Sequence, residues 1–296
     1  MTDEHIIETV EPEAAFSTLA DATRLDILQA LWEAEGQTAT FSKLRETVGT
    51  KDSGKFNYHL QKLTEGFVRK TESGYELRAA GRNVVGALVS GAYTMTGSID
   101  PMVLDDPCPA CAGELTFDYE DERVRIECGT CPFWSAFPVP PGALADHPVD
   151  RFPTVADRYV RTLLTQARLE FCSQCYGRVE PSLQSFDELP WLESKPEFGD
   201  TVAVSYDCDR CGMNNQINLA TIMLDHPEVS AFHHEHGIDV RDVPIWHMGG
   251  IDGEPQSTLL DDDAAGAARV TYIAEDDRLT LTVEDSLAVV DVERSE

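Results

Sequence analysis

All eight cysteines of this chain fall in four C-x-x-C pairs, and no other feature constrains its fold as much. Cys108-Pro109-Ala110-Cys111 and Cys128-Gly129-Thr130-Cys131 form one set, with sixteen residues between the pairs. Cys172-Ser173-Gln174-Cys175 and Cys208-Asp209-Arg210-Cys211 form a second. Two residues between thiolates let a tight turn aim both sulfurs at one ion, and a second pair completes a tetrahedron. Gly113, Gly129, Gly177 and Gly212 supply the backbone freedom such knuckles need. The spacing predicts two structural Zn²⁺ per chain, held by Cys108, Cys111, Cys128 and Cys131 and by Cys172, Cys175, Cys208 and Cys211. Between the first two pairs, Leu115–Tyr119 and Val124–Glu127 alternate as hairpin strands, a zinc-ribbon layout. A thiol–disulfide centre would need a helix start after the first cysteine, and no such signal is present. Iron–sulfur ligation suits two regular pairs less well than structural zinc does.

The unit occurs twice. Ala145-Asp146-His147-Pro148-Val149 and a helix-like segment to Gln166 follow the first ribbon. Leu224-Asp225-His226-Pro227-Glu228-Val229 and another such segment, through His236, follow the second, so the pattern reads as an internal duplication. Gln184 to Gly199 is an insertion in the second copy. His226, His233, His234, His236 and His247 do not have the i, i+4 geometry of a helical metal pair. His147 and His226 stand between Asp and Pro, where they shape helix starts.

Charge is unevenly distributed. The net charge is −30; residues 12–95 carry ten acids and ten bases, whereas residues 96–296 carry 39 acids and 13 bases. Five of six lysines lie between Lys43 and Lys70. An acidic surface with so little lysine outside one segment suggests a proteome adapted to molar salt, where self-repulsion is screened over about 3 Å; an acidic protein from dilute salt is the alternative. Met1-Thr2-Asp3-Glu4-His5 is unlike a secretory leader, and apolar runs are far shorter than a membrane span. Cytoplasm, with no membrane partner, is the expected location, and cysteines there favour metal over disulfides. Four-cysteine sites are coordinatively closed, and no nucleophile motif or phosphate loop is evident, so an enzyme is the weakest reading.

Residues 12–95 read as helices Glu13–Leu19, Ala22–Glu33 (apolar stripe Leu25, Leu28, Leu31, Trp32) and Phe41–Val48, a helix over 53–65 with Gly66 as its C-terminal cap, and strands Phe67–Lys70 and Tyr75–Arg78 around Glu72-Ser73-Gly74. In the fourth helix Phe56, Leu60 and Leu63 make the apolar stripe, and Asp52 or Ser53 caps the start. Gly54, Lys55, Tyr58, Gln61 and Lys62 face away, with Asn57 and His59 on the flanks. A solvated amphipathic helix is the plain reading of this stripe; its neighbours favour a winged helix-turn-helix whose fourth helix enters the major groove. Lys51, Ser53, Lys55, Asn57, Tyr58, Gln61, Lys62, Arg69, Lys70 and Arg78 are the candidate DNA contacts. Arg82 to Met95 is helical in pattern, with Val84, Val85, Leu88, Val89 and Ala92 on one face that can pack on its own domain or on a partner.

Leu19-Ala20-Asp21-Ala22-Thr23-Arg24-Leu25-Asp26-Ile27-Leu28 and Asn57-Tyr58-His59-Leu60-Gln61-Lys62-Leu63 resemble the helix signature and reading helix of ArsR-type winged-helix regulators. With the cysteine units, the architecture is similar to that of such regulators from halophilic archaea. The resemblance covers roughly 80 residues and implies a homodimer on palindromic double-stranded DNA. Thr40-Phe41-Ser42-Lys43-Leu44 holds no cysteine, so the thiol metal sensor of many members is not carried over.

Arg269–Ala274, Arg278–Val283 and Leu287–Val292 alternate as three short strands, expected as a meander packed on the second ribbon; Gly249 to Gly266 reads as a mobile loop. The expected class is α+β multi-domain: an acidic tail (1–11), a winged helix-turn-helix (12–96), a linker (97–106), two zinc-ribbon-like units each with a following helix (107–168 and 169–250) and a C-terminal antiparallel β meander (251–296). The expected function is a sequence-specific DNA-binding transcriptional regulator. The alternative is a zinc-ribbon module of the transcription machinery without operator specificity.

Overall fold

The computed structural model describes residues 11–185, 201–247, 256–260 and 266–296. The acidic tail before Glu11, nearly all of the 184–199 insertion and most of the 249–266 loop lie outside them. The chain is a mixed α/β protein that divides into two compact units, Met1–Met95 and Thr96–Glu296. Among the described residues, no helix is long and apolar enough to cross a membrane.

In the first unit, α1 (Pro12–Leu19) opens with Pro at its first turn, where a missing N–H costs nothing. Asp21 caps α2 (Ala22–Glu33) by accepting from the Arg24 N–H. After β1 (Thr38–Ala39), Thr40 caps α3 (Phe41–Val48), which ends at left-handed Gly49. Asp52 caps α4 (Ser53–Thr64), accepting from the Gly54 and Lys55 N–H groups at 2.8 and 3.0 Å. Strands β2 (Val68–Lys70) and β3 (Tyr75–Leu77) and helix α5 (Ala79–Val89) complete the unit. Ile27, Leu28, Leu31, Leu44, Phe56, Leu60, Leu63 and Val85 share one core.

Several expectations shift here. The buried face of α2 is Ile27, Leu28, Ala30 and Leu31, while Trp32 is exposed. Helix α4 ends at Thr64 with Glu65 as its cap, and Gly66 is not left-handed. The sheet has a third strand, in the order β1-β3-β2. That pairing explains Gly74, whose φ is 145° and where a Cβ would lie 2.4 Å from the Ala39 carbonyl oxygen. Helix α5 begins at Ala79 and stops at Val89, short of Met95, and Val85 of its apolar face is buried in the unit's own core.

The second unit begins with β4 (Ile99–Val103), a strand inside the expected linker, which pairs antiparallel with β5 (Leu115–Glu120). β5, β6 (Arg123–Cys128) and β7 (Trp134–Pro138) form a meander, followed by α6 (Pro141–Ala145) and α7 (Phe152–Arg168). The second copy runs β8 (Val179–Ser185), β9 (Val202–Cys208), β10 (Asn214–Asn218), α8 (Leu219–Ile222) and α9 (Pro227–Glu235). The duplication extends to register: Leu115 pairs with Cys128 as Val179 pairs with Cys208, each four residues after a knuckle cysteine. β11 (Gln256–Leu260), β12 (Ala267–Ala274), β13 (Asp277–Glu284) and β14 (Val289–Ser295) make a second four-stranded antiparallel sheet. β11 is a strand within the stretch expected to be loop. Val270, Tyr272, Leu279 and Leu281 of this sheet share a core with Val204 and Tyr206 of the second ribbon, as expected.

Helix α7 joins the two ribbon cores. Ala156 and Val160 pack into the first and Ala167 into the second. Its buried Asp157 accepts from Arg161 Nε at 3.0 Å and from the Ile245 N–H at 2.7 Å. Arg161 in turn donates to the carbonyls of Val240 and Val243. Residues 240–247, which follow the second ribbon, are thereby fastened to α7, and Trp246 enters the first ribbon's core.

The histidines serve the fold. His226 caps α9 by accepting from the Glu228 N–H. His236 lies 2.8 Å from the Phe232 carbonyl through Nδ1 and 3.0 Å from Asp277 through Nε2. The Phe232 carbonyl first, then Asp277, raise its pKa. Protonated imidazole satisfies both acceptors, so this contact stabilises fully below the unfolded value of about 6.5 and fades as pH rises through the raised folded value. The difference in unfolding free energy between the native chain and His236→Gln should therefore shrink as pH rises from about 6.5 through the raised folded value. Denaturant titrations at fixed salt measure it; a difference that grows with pH would refute the assignment.

Candidate functional site

Each knuckle is a turn closed by backbone hydrogen bonds. The Cys108, Cys172 and Cys208 N–H groups donate to Gly113, Gly177 and Met213 carbonyls at 2.8 to 2.9 Å, and those of Ala112, Tyr176 and Gly212 return to the first cysteine's carbonyl. The fourth knuckle lacks the return bond because its equivalent residue is Pro132, which has no N–H. Ala112, Tyr176 and Gly212, just after the second cysteine, carry φ values of 55°, 56° and 71°. The glycine that the backbone conformation explains is therefore Gly212. Gly113 and Gly177 are needed for space: a Cβ on Gly177 would lie 3.1 and 3.2 Å from the Cys175 and Cys208 sulfurs, and one on Gly113 would lie 2.7 Å from Thr130 Oγ1.

The eight cysteines come together as the spacing predicts. Cys108, Cys111, Cys128 and Cys131 form one cluster and Cys172, Cys175, Cys208 and Cys211 the other, with the sulfurs of each within 4.8 Å of one another. The closest pairs stand 3.5 to 3.6 Å apart. A disulfide needs about 2.05 Å, whereas four sulfurs at about 2.3 Å from one Zn²⁺ lie about 3.8 Å apart. Each cluster can therefore hold one zinc ion, two per chain. Cys108, Cys172 and Cys208 are buried, and Cys111 and Cys211 face solvent.

Backbone dipoles prepare the sulfurs unequally. The Thr130 N–H lies 3.3 Å from Cys128 Sγ and is the main cause that lowers that thiol to about 6. The Cys211 N–H does most to lower Cys208, to about 7. Cys111 and Cys211 receive N–H groups of Gly113 and Met213, but neighbouring sulfurs and burial outweigh them and push both up to about 12. A cluster without a cation thus keeps part of its protons, and a dication supplies the field that removes the rest. Such a site has four protein ligands and no open position.

The other candidate surface is the outward side of α4. Lys51, Ser53, Lys55, Asn57, Tyr58 and Gln61 are exposed, Lys62 is half-buried, and Arg69, Lys70 and Arg78 are exposed on the hairpin and just beyond it. Lys62 is paired with Glu65 at 3.1 Å and Arg69 with Glu76. Among the described residues, no carboxylate lies within ion-pair distance of Lys51, Lys55, Lys70 or Arg78. His59, expected on the flank, is buried, with Nδ1 3.4 Å from Asp21 at the start of α2 and neither ring nitrogen in a hydrogen bond among the described residues. Reasoning from helical periodicity missed it because the element covering that flank is far away in sequence.

Metal analysis should return two zinc ions per chain, and Cys128→Ser should lose one while residues 12–95 keep their helical signal. Gly177→Ala should weaken the second site by about tenfold or more in a chelator competition, since the packing around a metal's ligands tunes affinity on that scale. Iron in place of zinc, or a metal-free protein with native stability, would refute the assignment.

The comparison with curated proteins finds no match. Two family models do match, each described as a domain of unknown function: DUF7347 over residues 12–88 and DUF7351 over residues 105–289. The first starts with α1 and ends within α5. The second covers more than half of the chain and includes both cysteine clusters. The chain therefore belongs to the DUF7351 family.

Proposed function

We propose that the protein is a transcriptional regulator that binds duplex DNA sequence-specifically as a homodimer, through a winged helix-turn-helix formed by residues 12–95. The observation that carries this reading is the outward face of α4 beside the β2–β3 hairpin. In a chain of net charge −30, that face gathers Lys51, Lys55, Lys70 and Arg78, with no carboxylate within ion-pair distance among the described residues. The element order and the ArsR-like residues of α2 and α4 support it. Helix α4 enters the major groove and the hairpin is the wing. The zinc clusters hold the remainder of the chain in shape, and free thiols used for metal suit a cytoplasmic protein.

At molar salt, phosphate contacts weaken by about one power of ten per tenfold salt for each phosphate neutralised. Base contacts and dimerisation then supply much of the affinity. Gln61 can pair with adenine N6 and N7, and Tyr58, 58% exposed, can pack on a thymine methyl. After selection of a preferred site from random duplexes, Gln61→Ala should cost about 1–3 kcal/mol and relax preference at one position. Lys70→Ala should weaken all sequences alike and flatten the salt slope by about one unit. If neither change alters binding across a salt series, α4 and the hairpin are not the reading elements.

The dimer face is narrower than the sequence suggests. Val85 serves the unit's own core, which leaves Leu88, Val89 and Tyr93 with Phe16 of α1; Val89, Tyr93 and Phe16 are 57%, 83% and 72% exposed. Val89→Glu should give monomers by light scattering and bind duplex DNA at least tenfold more weakly, because half-sites then bind independently. A native chain that is already monomeric at molar salt would contradict the dimer.

A further inference from the structure

The two cysteine clusters share one sulfur geometry but not one environment. In each, the close sulfur pairs join one knuckle to the other: Cys108–Cys131 and Cys111–Cys128 in the first, Cys172–Cys211 and Cys175–Cys208 in the second, all at 3.5 or 3.6 Å. Closing any of them to a disulfide needs the same contraction, to about 2.05 Å, so distance favours none. Access does. Cys108, Cys172 and Cys208 are only 3%, 1% and 3% exposed, and each withholds one member of its pair from solvent. Cys111 is exposed and Cys128 half-buried; of these four pairs, theirs alone has no buried member.

The third residue of the later knuckle separates the two copies again. In the second copy it is Arg210, whose side chain crosses to the opposite knuckle and donates from Nη1 to the Cys175 carbonyl at 3.2 Å. A Cβ on Gly177 would lie 3.1 Å from Arg210 Cβ and 3.1 and 3.2 Å from the Cys175 and Cys208 sulfurs, which places the start of the arginine stem next to both. In the first copy the same place holds Thr130, an exposed residue whose side chain stops at its γ atoms and covers less of the rim.

We propose that the first cluster is a hydroperoxide-responsive site that releases its zinc through a Cys111–Cys128 disulfide, while the second cluster keeps its own. Cysteines that respond to peroxide are exposed thiolates with a resolving cysteine beside them. All four sulfurs of a zinc-bound cluster are thiolates, so exposure and the resolving partner decide. One sulfur of the pair attacks the peroxide, becomes a sulfenic acid and expels hydroxide. The other attacks that sulfur, displaces a second hydroxide and closes the disulfide. Two thiolates, one hydrogen peroxide and two protons thus give one disulfide and two waters. Each sulfur gives up one electron, the O–O bond takes both, and the zinc ion keeps its charge. Cys108 and Cys131 remain as ligands, and two thiolates hold zinc more weakly than four. The new bond ties the same two knuckles, so the Leu115–Cys128 register survives and thiol exchange can reverse the change. A guanidinium beside a zinc-bound thiolate lowers its nucleophilicity, which protects the second cluster. The proposal rests on the two zinc sites and not on DNA reading by residues 12–95.

The test uses the full zinc-loaded chain, free of reductant, under increasing hydrogen peroxide. A chromogenic chelator follows zinc release, and alkylation with peptide mass mapping identifies the disulfides. One of the two zinc ions should leave in a first phase, with Cys111–Cys128 as the accompanying disulfide, and dithiothreitol with added zinc should restore the site. Thr130→Arg should slow that phase, and Arg210→Thr should speed the loss of the second ion. Both variants replace exposed residues outside the ligand sets, so both clusters still load with zinc. Simultaneous loss of both ions, loss from the second cluster first, a first disulfide that includes Cys108 or Cys131, or release rates unchanged in both variants would overturn the proposal.

Discussion

Four sulfurs held within 4.8 Å of one another cannot all be thiolates unless a cation stands among them. That constraint governs residues 96–296. The knuckles place the sulfurs through local backbone bonds, and their N–H groups favour Cys128 and Cys208 as the first thiolates. The neighbouring sulfurs, more than desolvation, hold Cys111 and Cys211 protonated, so metal binding and completion of the site are one event. Each cluster pins the start of one strand to the turn after the next, which fixes the register in which Leu115 faces Cys128 and Val179 faces Cys208.

The two repeats then diverge in what covers them. The first ribbon gains β4 at its edge, and the second shares its core with the β11–β14 sheet. Helix α7 serves both cores from one amphipathic face, and its Asp157–Arg161 pair holds residues 240–247. The pair is well satisfied: the carboxylate takes a guanidinium and an amide, and the guanidinium takes two further carbonyls. Breaking one partner would strand a charge that little water reaches, the costly case for a buried pair.

Charge divides the chain in a second way. Acids dominate after residue 96, while residues 12–95 are neutral overall. The basic side chains of the first unit are not spread evenly; among the described residues, Lys51, Lys55, Lys70 and Arg78 around α4 and the hairpin have no carboxylate within ion-pair distance, and Lys55 feels only the longer-range attraction of Asp52. In the acidic unit, Arg161, Arg168 and Arg241 line one cleft, each paired with an aspartate. Only the first is a local reversal of the field set by the chain's net charge, and such reversals are where anionic ligands are drawn.

The cysteine clusters, the duplication, the cap at the start of α4 and most strand positions were legible in the sequence. Their causes are local: a two-residue spacing, a short polar side chain before a helix, an alternation of apolar residues. Tertiary structure alone decided the rest. β1 is a two-residue strand that exists because β3, far along the chain, pairs with it, and β4 and β11 are short strands whose pattern shows only once the next strand pairs with them. His59 and Val85 are buried by elements that helical periodicity cannot see. Asp157 looks like any surface acid until Ile245, 88 residues away, donates to it. The arginine cleft draws Arg161, Arg168 and Arg241 from two segments; no spacing in a linear chain encodes their meeting.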